Sequence, residues 1–410
     1  MISNRLISTV LSAVALSATL SAQSPTRILA LTENIPQLSQ IDINTCTEVP
    51  CNPPLGAAVA PWAGGTAHDP RDRMTWISDG LVLMKVDPRG GCTPICTPFT
   101  PPFVTPGVEI TGLAVNEELQ RLYISYSDNR IATFSAVGCA LTYVSDCVVP
   151  VPPNHIIAGL ATEDTTQEIY YASSAWLGPS SAPFSLLYRA SQFSPCVPLC
   201  TPFQIPDCTS GAFFRLVTGL GFDSCTRELH VTDGWQITSV TNLWTCAPFI
   251  TQCCPQVITS GDTMTGLCVL PSTEVPFGNM CFGGTSAVCP GMRHVLRGDP
   301  TIGNLGFALD LINAPGGSIA YLFLGLGPCS SFAGTTFSGL ICANLYPTSF
   351  IQAVFVPGTG CSGNVSIPFP LPNIPFFCGI TLSSQFIGQI PAAWSGSYVS
   401  NCLSWTITGN

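Results

Sequence analysis

Apolar and polar positions alternate along the first two-thirds of the chain in short runs, each broken by Gly, Asp, Asn or Pro, with no sustained helical period. That texture predicts strands of about five residues joined by tight turns. The runs also recur in a fixed order. Gly65-Thr-Ala-His-Asp69, Gly112-Leu-Ala-Val-Asn116, Gly159-Leu-Ala-Thr-Glu163 and Gly219-Leu-Gly-Phe-Asp223 align under one another. A fifth glycine, Gly266, opens a similar run, and three of the four intervals are 47 residues.

Eleven residues after each of the first four glycines stands Trp76, Tyr123, Tyr170 or His230, inside a second apolar run. A polar turn follows, such as Ser78-Asp-Gly80, Ser127-Asp-Asn129 or Thr232-Asp-Gly234, as a hairpin needs where φ turns positive. Sixteen residues past the aromatic position comes Cys92, Cys139 or Cys246; in the third repeat Cys196 is displaced by a ten-residue insertion. One four-stranded sheet per repeat is the pattern of a β-propeller. The fifth repeat stops after its first strand, and Ile28-Leu-Ala-Leu-Thr-Glu33 supplies the missing second strand, with Cys46 in register. The expected fold is therefore all-β: a five-bladed propeller closed by pairing of N- and C-terminal strands. Closure removes the open sheet edges that template aggregation.

After residue 275 the period ends. Runs such as Phe307-Ala-Leu-Asp-Leu311, Ile319-Ala-Tyr-Leu-Phe-Leu324 and Gln352-Ala-Val-Phe-Val356 alternate with Gly and Pro turns, which predicts a β-sandwich. The expected boundaries are a signal peptide over 1–22, a propeller over 23–275 and a C-terminal module over 276–410. The signal peptide rests on a positive start, an apolar stretch Leu6–Leu20 and small residues around Ala22.

Composition narrows the function classes. Charged residues are 9% of the chain and the net charge is −10, which argues against a nucleic-acid partner. No later stretch has the ~20 uninterrupted apolar residues of a membrane span. Twenty-one cysteines in an exported chain argue for disulfides and an extracellular or cell-surface location. The expected pairs are local: Cys46/Cys51, Cys92/Cys96, Cys139/Cys147, Cys196/Cys200 and Cys246/Cys253, each stapling one turn. An odd count leaves at least one cysteine over.

Val288-Cys-Pro-Gly291, Gly298-Asp-Pro-Thr-Ile-Gly-Asn304 and Phe307-Ala-Leu-Asp-Leu-Ile-Asn-Ala-Pro-Gly-Gly317 resemble the opening of a C-terminal module of secreted planctomycete-type bacterial proteins. Phe369-Pro-Leu-Pro-Asn373, Gly379-Ile-Thr-Leu-Ser-Ser-Gln385 and Thr406-Ile-Thr-Gly409 fit the same module. The resemblance implies secretion and a β-sandwich but no activity. The front two-thirds resembles NHL- and YVTN-type repeat propellers in strand pattern.

Propellers bind ligands mostly at one mouth of the central channel. Here the segments leading into the inner strands place Trp62, Glu109, His155, Arg215 and Asp262 at that mouth. The turns between second and third strands add Glu33, Asp79, Asp128, Asp233 and Trp235, and the insertion adds Trp176. Indole faces stack on sugar rings, and flanking charged groups hydrogen-bond hydroxyls, so Trp62, Glu109, His155, Trp176, Arg215, Trp235 and Asp262 are the candidate ligand set. The competing reading is that loops are polar because they are wet, with tryptophans covering the core ends.

At the opposite mouth Asp69, Asn116, Glu163 and Asp223 read as turn-closing residues. His230 and His68 read as packing and hydrogen-bonded filler. No catalytic motif, metal site or cofactor is indicated. The sequence favours a non-catalytic binding or surface-attachment protein whose partner is an extracellular glycan or cell-surface component. A propeller hydrolase or lyase and a structural scaffold are the alternatives.

Overall fold

The computed structural model describes residues 27–33, 37–42, 46–53, 55–56, 58, 60, 62–88, 91–178, 184–208, 213–255, 263–270, 275–277, 289, 291–329, 350–389 and 397–409. The chain divides into two compact units, 25–271 and 272–408. The expected signal peptide lies outside the described residues.

Among the described residues the first unit shows five antiparallel sheets, four of four strands and one of five. In the first sheet the order is Gly65–Asp69, Met74–Ser78, Leu83–Asp87 and Thr93–Pro94. The second runs Ile110–Asn116, Arg121–Tyr126, Arg130–Val137 and Ala140–Val148. The third runs Ile156–Glu163, Glu168–Ser174, Leu186–Ser191 and Ser194–Pro198, with Phe203–Gln204 added beside Leu186–Ser191. The fourth runs Gly219–Asp223, Glu228–Thr232, Ile237–Thr241 and Phe249–Cys254. In the fifth, the inner strand Met264–Leu270 pairs with Arg27–Thr32, followed by Leu38–Asp42 and Thr47–Cys51. Arg27 lies opposite Leu270 and Leu31 opposite Gly266, so head and tail of the unit share one sheet.

The repeat glycines explain how the sheets meet. A methyl group on Gly65 would stand 2.9 Å from the Leu113 nitrogen, and one on Gly112 would stand 2.9 Å from the Leu160 nitrogen. On Gly159 it would meet Leu220 at 2.9 Å, on Gly219 Leu267 at 2.8 Å, and on Gly266 Gly65 at 2.7 Å. The five inner strands therefore form a closed, propeller-like ring whose backbones touch where only hydrogen fits. The aromatic positions wedge between sheets: Trp76, Tyr123, Tyr170 and His230 are all buried opposite Ala67, Ala114, Ala161 and Gly221. Small residues on the inner strand leave room for large ones on the second.

The disulfides differ from the expected local pairs. Cys96 joins Cys139, Cys147 joins Cys196, Cys200 joins Cys246, Cys208 joins Cys253 and Cys46 joins Cys254. Each bond links one sheet to the next rather than closing a turn within a sheet. The cause is geometric. A cysteine at the end of one repeat lies at the rim beside the third-to-fourth-strand turn of its neighbour, with Cα atoms 5.6–6.7 Å apart. Cys92 is disulfide-bonded as well, and the side chain of Cys51 lies outside the described residues. The free cysteine among the described residues is Cys268, buried on the fifth inner strand, where burial pushes its thiol up to about 12.

Among the described residues the second unit shows two antiparallel sheets. One is ordered Val275–Phe277, Cys402–Thr406, Thr381–Gln389, Ser318–Leu326, Phe350–Val356, with Ser397–Val399 beside Thr381–Gln389. The other is Arg293–Arg297, Ala308–Ala314, Gly363–Pro368. Leu296, Leu309, Leu311 and Ile367 from the smaller sheet share one core with Leu322, Phe386, Leu403 and Trp405 from the larger. Cys289–Cys361 and Cys329–Cys402 pin this unit.

Candidate ligand-binding mouth

In an antiparallel sheet the segment leading into the first strand and the turn between second and third strands lie at the same end. Backbone bonds tie these loops together around the ring. The Gly64 amide donates to the Ile110 carbonyl at 2.8 Å, Ile110 to Gly80 at 2.7 Å and Met264 to Gly234 at 2.9 Å. Asn129 bridges the second and third sheets, accepting from the Ile157 amide at 2.9 Å and donating to the His155 carbonyl at 3.1 Å.

Most of the expected polar groups at this mouth are already engaged. Asp79 Oδ1 accepts the Leu81 and Val82 amides, and Asp233 Oδ1 accepts those of Trp235 and Gln236. Asp128 accepts from the Arg130 amide and side chain. Glu109 accepts from Ser127 Oγ at 2.8 Å, and Glu33 from Thr263 Oγ1. His155 is buried with Nδ1 3.0 Å from Ser173 Oγ. These side chains close turns and brace neighbouring strands. Arg215 is exposed, Trp235 is half exposed, and Asp262 lies outside the described residues.

Trp62 and Trp176 behave differently. Trp62 precedes the inner strand of the first sheet, and Trp176 follows the second strand of the third sheet, so the second sheet stands between their parent sheets. Yet their ring centroids are 5.7 Å apart at 53°. The two loops therefore reach toward each other over the mouth. Both side chains keep partial exposure, while both indole N–H groups are buried without an acceptor among the described residues. Leaving such a donor unmet costs about 1–3 kcal/mol.

Beneath the mouth, the channel is lined by residues 66–68, 113–115, 160–162, 220–222 and 267–269 and offers about 40 Å³. That holds a water or two, far below the roughly 300 Å³ of a small-molecule pocket. His68, on this lining, is satisfied by Thr75 Oγ1 at 3.1 Å. Any ligand of size sits on the ring, not in it.

The opposite mouth carries the turn closures expected. Asn116 Oδ1 accepts the Leu119 amide at 2.6 Å, and Asp223 Oδ1 accepts that of Cys225 at 2.8 Å. Glu163 is the exception. It bonds Arg227 at 2.9 Å and the Tyr170 hydroxyl at 3.2 Å, and that hydroxyl also donates to Glu168 at 2.8 Å. Burial, opposed by the Arg227 charge and reinforced by Glu168, raises the Glu163 carboxyl above its ordinary range. A cavity of about 220 Å³ opens here, lined by Glu163, Tyr170, Arg227, Asn242 and the exposed Trp244, with Thr226 Oγ1 unpartnered among the described residues. Sequence reading missed this cavity because Trp244 lies outside the repeated positions. Among the described residues no group of three or more His, Cys, Asp or Glu is placed to hold a metal ion, and no helix is long and apolar enough to cross a membrane.

No protein-family model matches the chain, and no curated protein matches it. Among solved structures it is similar to the β-propeller domain of Cps50 (Swd1) from Myceliophteria thermophila. The two are 8% identical with a TM-score of 0.32, over 72% of this chain and 82% of that one. At that distance no residue role transfers, and the propeller-like description rests on strand order and ring closure.

Proposed function

We propose that the chain is an exported, non-catalytic binding or surface-attachment protein: a five-bladed propeller followed by a β-sandwich module, taking a glycan at the mouth framed by Trp62 and Trp176. The observation that carries this reading is the meeting of those two indoles from non-adjacent sheets, each with an unmet N–H. A hydroxylated ring supplies an apolar face for stacking on the partly exposed indoles. Trp235, half exposed at the same end, extends the aromatic surface. The filled channel and the self-paired acids around it favour binding over hydrolysis. Disulfides between sheets fit an oxidising, extracellular setting.

A glycan array probed with the wild-type protein and with Trp62→Ala/Trp176→Ala tests the reading. Binding by the wild type is expected, with at least a tenfold loss in the double variant. An array signal equal in both proteins, with melting temperature unchanged, would retire the mouth as the site.

A further inference from the structure

Of the thirteen Lys and Arg residues in the chain, twelve are arginine; the single lysine is Lys85. It does not face water. Lys85 lies on Leu83–Asp87 opposite Trp76, its side chain 1% exposed. Its ammonium group sits 3.0 Å from Asp69 Oδ2, 2.5 Å from Asp72 Oδ2 and 4.9 Å from the Trp76 ring centroid, and donates to the Gly138 carbonyl at 3.3 Å. The third sheet provides an internal comparison. There the equivalent residue, opposite Tyr170, is Arg189, which grips Glu168 through Nε at 2.7 Å and through Nη2. An ion pair at this repeat position is thus made with arginine, the better-suited cation for a buried fork. Lysine, the one residue of the two with a nucleophilic amine, appears where two carboxyls converge.

We propose that this cluster is a self-modification site in which Lys85 Nζ condenses with the Asp72 carboxyl to form an intramolecular isopeptide bond. The two aspartates are placed for different roles. Asp69 is held by Arg71 through Nε at 2.8 Å and Nη2 at 2.8 Å, which keeps it a carboxylate. Asp72 Oδ2 faces the amine, and its Oδ1 accepts the Met74 amide at 3.2 Å.

In the step, Asp69 Oδ2 takes a proton from Lys85 Nζ, and the freed amine attacks Asp72 Cγ. The Met74 N–H steadies the negative charge that gathers on Oδ1. Asp69 passes that proton to Asp72 Oδ2, the nitrogen of the new C–N bond gives up a second proton to the same oxygen by way of Asp69, the Cγ–Oδ2 bond breaks and water leaves. An ammonium and a carboxylate become one amide and one water, Asp69 is regenerated, and no co-reactant is needed. Holding the groups in contact supplies the effective concentration that the condensation lacks in free solution. The electrostatics fit the two charge states. Burial and the Asp69 charge raise Asp72 against the opposing pull of Lys85 and the Met74 amide; for Asp69, burial is outweighed by Arg71 and Lys85, which hold it below the ordinary carboxylate range.

The uniqueness of Lys85 makes the test clean. The purified full chain is reduced, unfolded and treated with an amine-reactive label, then weighed and digested with trypsin. The expected result is a chain lighter by one water and a peptide Met74–Arg89, unlabelled and uncut at Lys85, bearing Asp72–Arg73 as a branch. A chain of full mass with label on Lys85 overturns the proposal from the wild-type protein alone, whatever the variants do. Asp72→Ala and Asp69→Ala are each expected to restore full mass and labelling. Loss of water in Asp72→Ala would overturn the choice of partner, and loss of water in Asp69→Ala would overturn the assigned base.

Discussion

His294 shows how one buried side chain sets a pH dependence. Its Nδ1–H donates to the Asp310 carbonyl at 3.0 Å, so Nε2 is the acceptor for the Ser384 hydroxyl at 2.7 Å, and Ser384 in turn accepts from Trp405 Nε1 at 3.0 Å. That chain is complete only with a neutral ring, and burial lowers His294 to about 4. The folded value lies below the unfolded one, near 6.5, so the unfolded chain takes up the proton first. The contribution is whole above about pH 6.5 and drains away as the pH falls toward 4. The stability difference between wild type and His294→Gln is therefore expected to shrink by about 2 kcal/mol from pH 7 to pH 5, as read by denaturant unfolding. A constant difference would show that the ring titrates alike in the folded and the unfolded chain. His230 obeys the same logic in the other unit: it is buried, Nδ1 lies 2.8 Å from Ser239 Oγ, and burial lowers it. Its role as a packing residue was legible in the sequence, because it fills the slot of Trp76, Tyr123 and Tyr170.

Among elements, the inner strands are defined by what they lack. The repeat glycines announced the period, but a one-dimensional pattern does not say why glycine recurs. The reason is strand-to-strand approach across the ring, a contact between residues about 47 apart. Gly112→Ala would place a methyl 2.9 Å from the Gly159 carbonyl carbon and the Leu160 nitrogen, backbone atoms that cannot rotate away. A loss of about 1–3 kcal/mol in unfolding free energy is expected from that overpacking. An unchanged denaturation midpoint would mean that the ring dilates to accept the methyl. The candidate mouth was legible to a similar depth. Position in the repeat brought Trp62 and Trp176 to one end. Their contact depends on how far two loops lean over the channel, which no spacing encodes. The aspartates of the same turns looked available for ligand and are instead used by the backbone two and three residues on.

Seen whole, the first unit is closed twice, once by the pairing of Arg27–Thr32 with Met264–Leu270 and once by sulfur. The cysteine period was visible, yet pairing within a repeat and pairing to the next repeat have the same period, so spacing alone could not choose between them. The choice has a practical result. Cys46–Cys254 spans 208 residues and embraces the bonds at Cys96–Cys139, Cys147–Cys196 and Cys200–Cys246. A single proteolytic cut at Arg130, on the second sheet, should therefore leave one band on a non-reducing gel and two after reduction. Two bands without reductant would contradict the bonding. A protease that nicks such a molecule frees nothing: the severed ends stay leashed, and damage that would dismantle a linear chain leaves this one in a single piece.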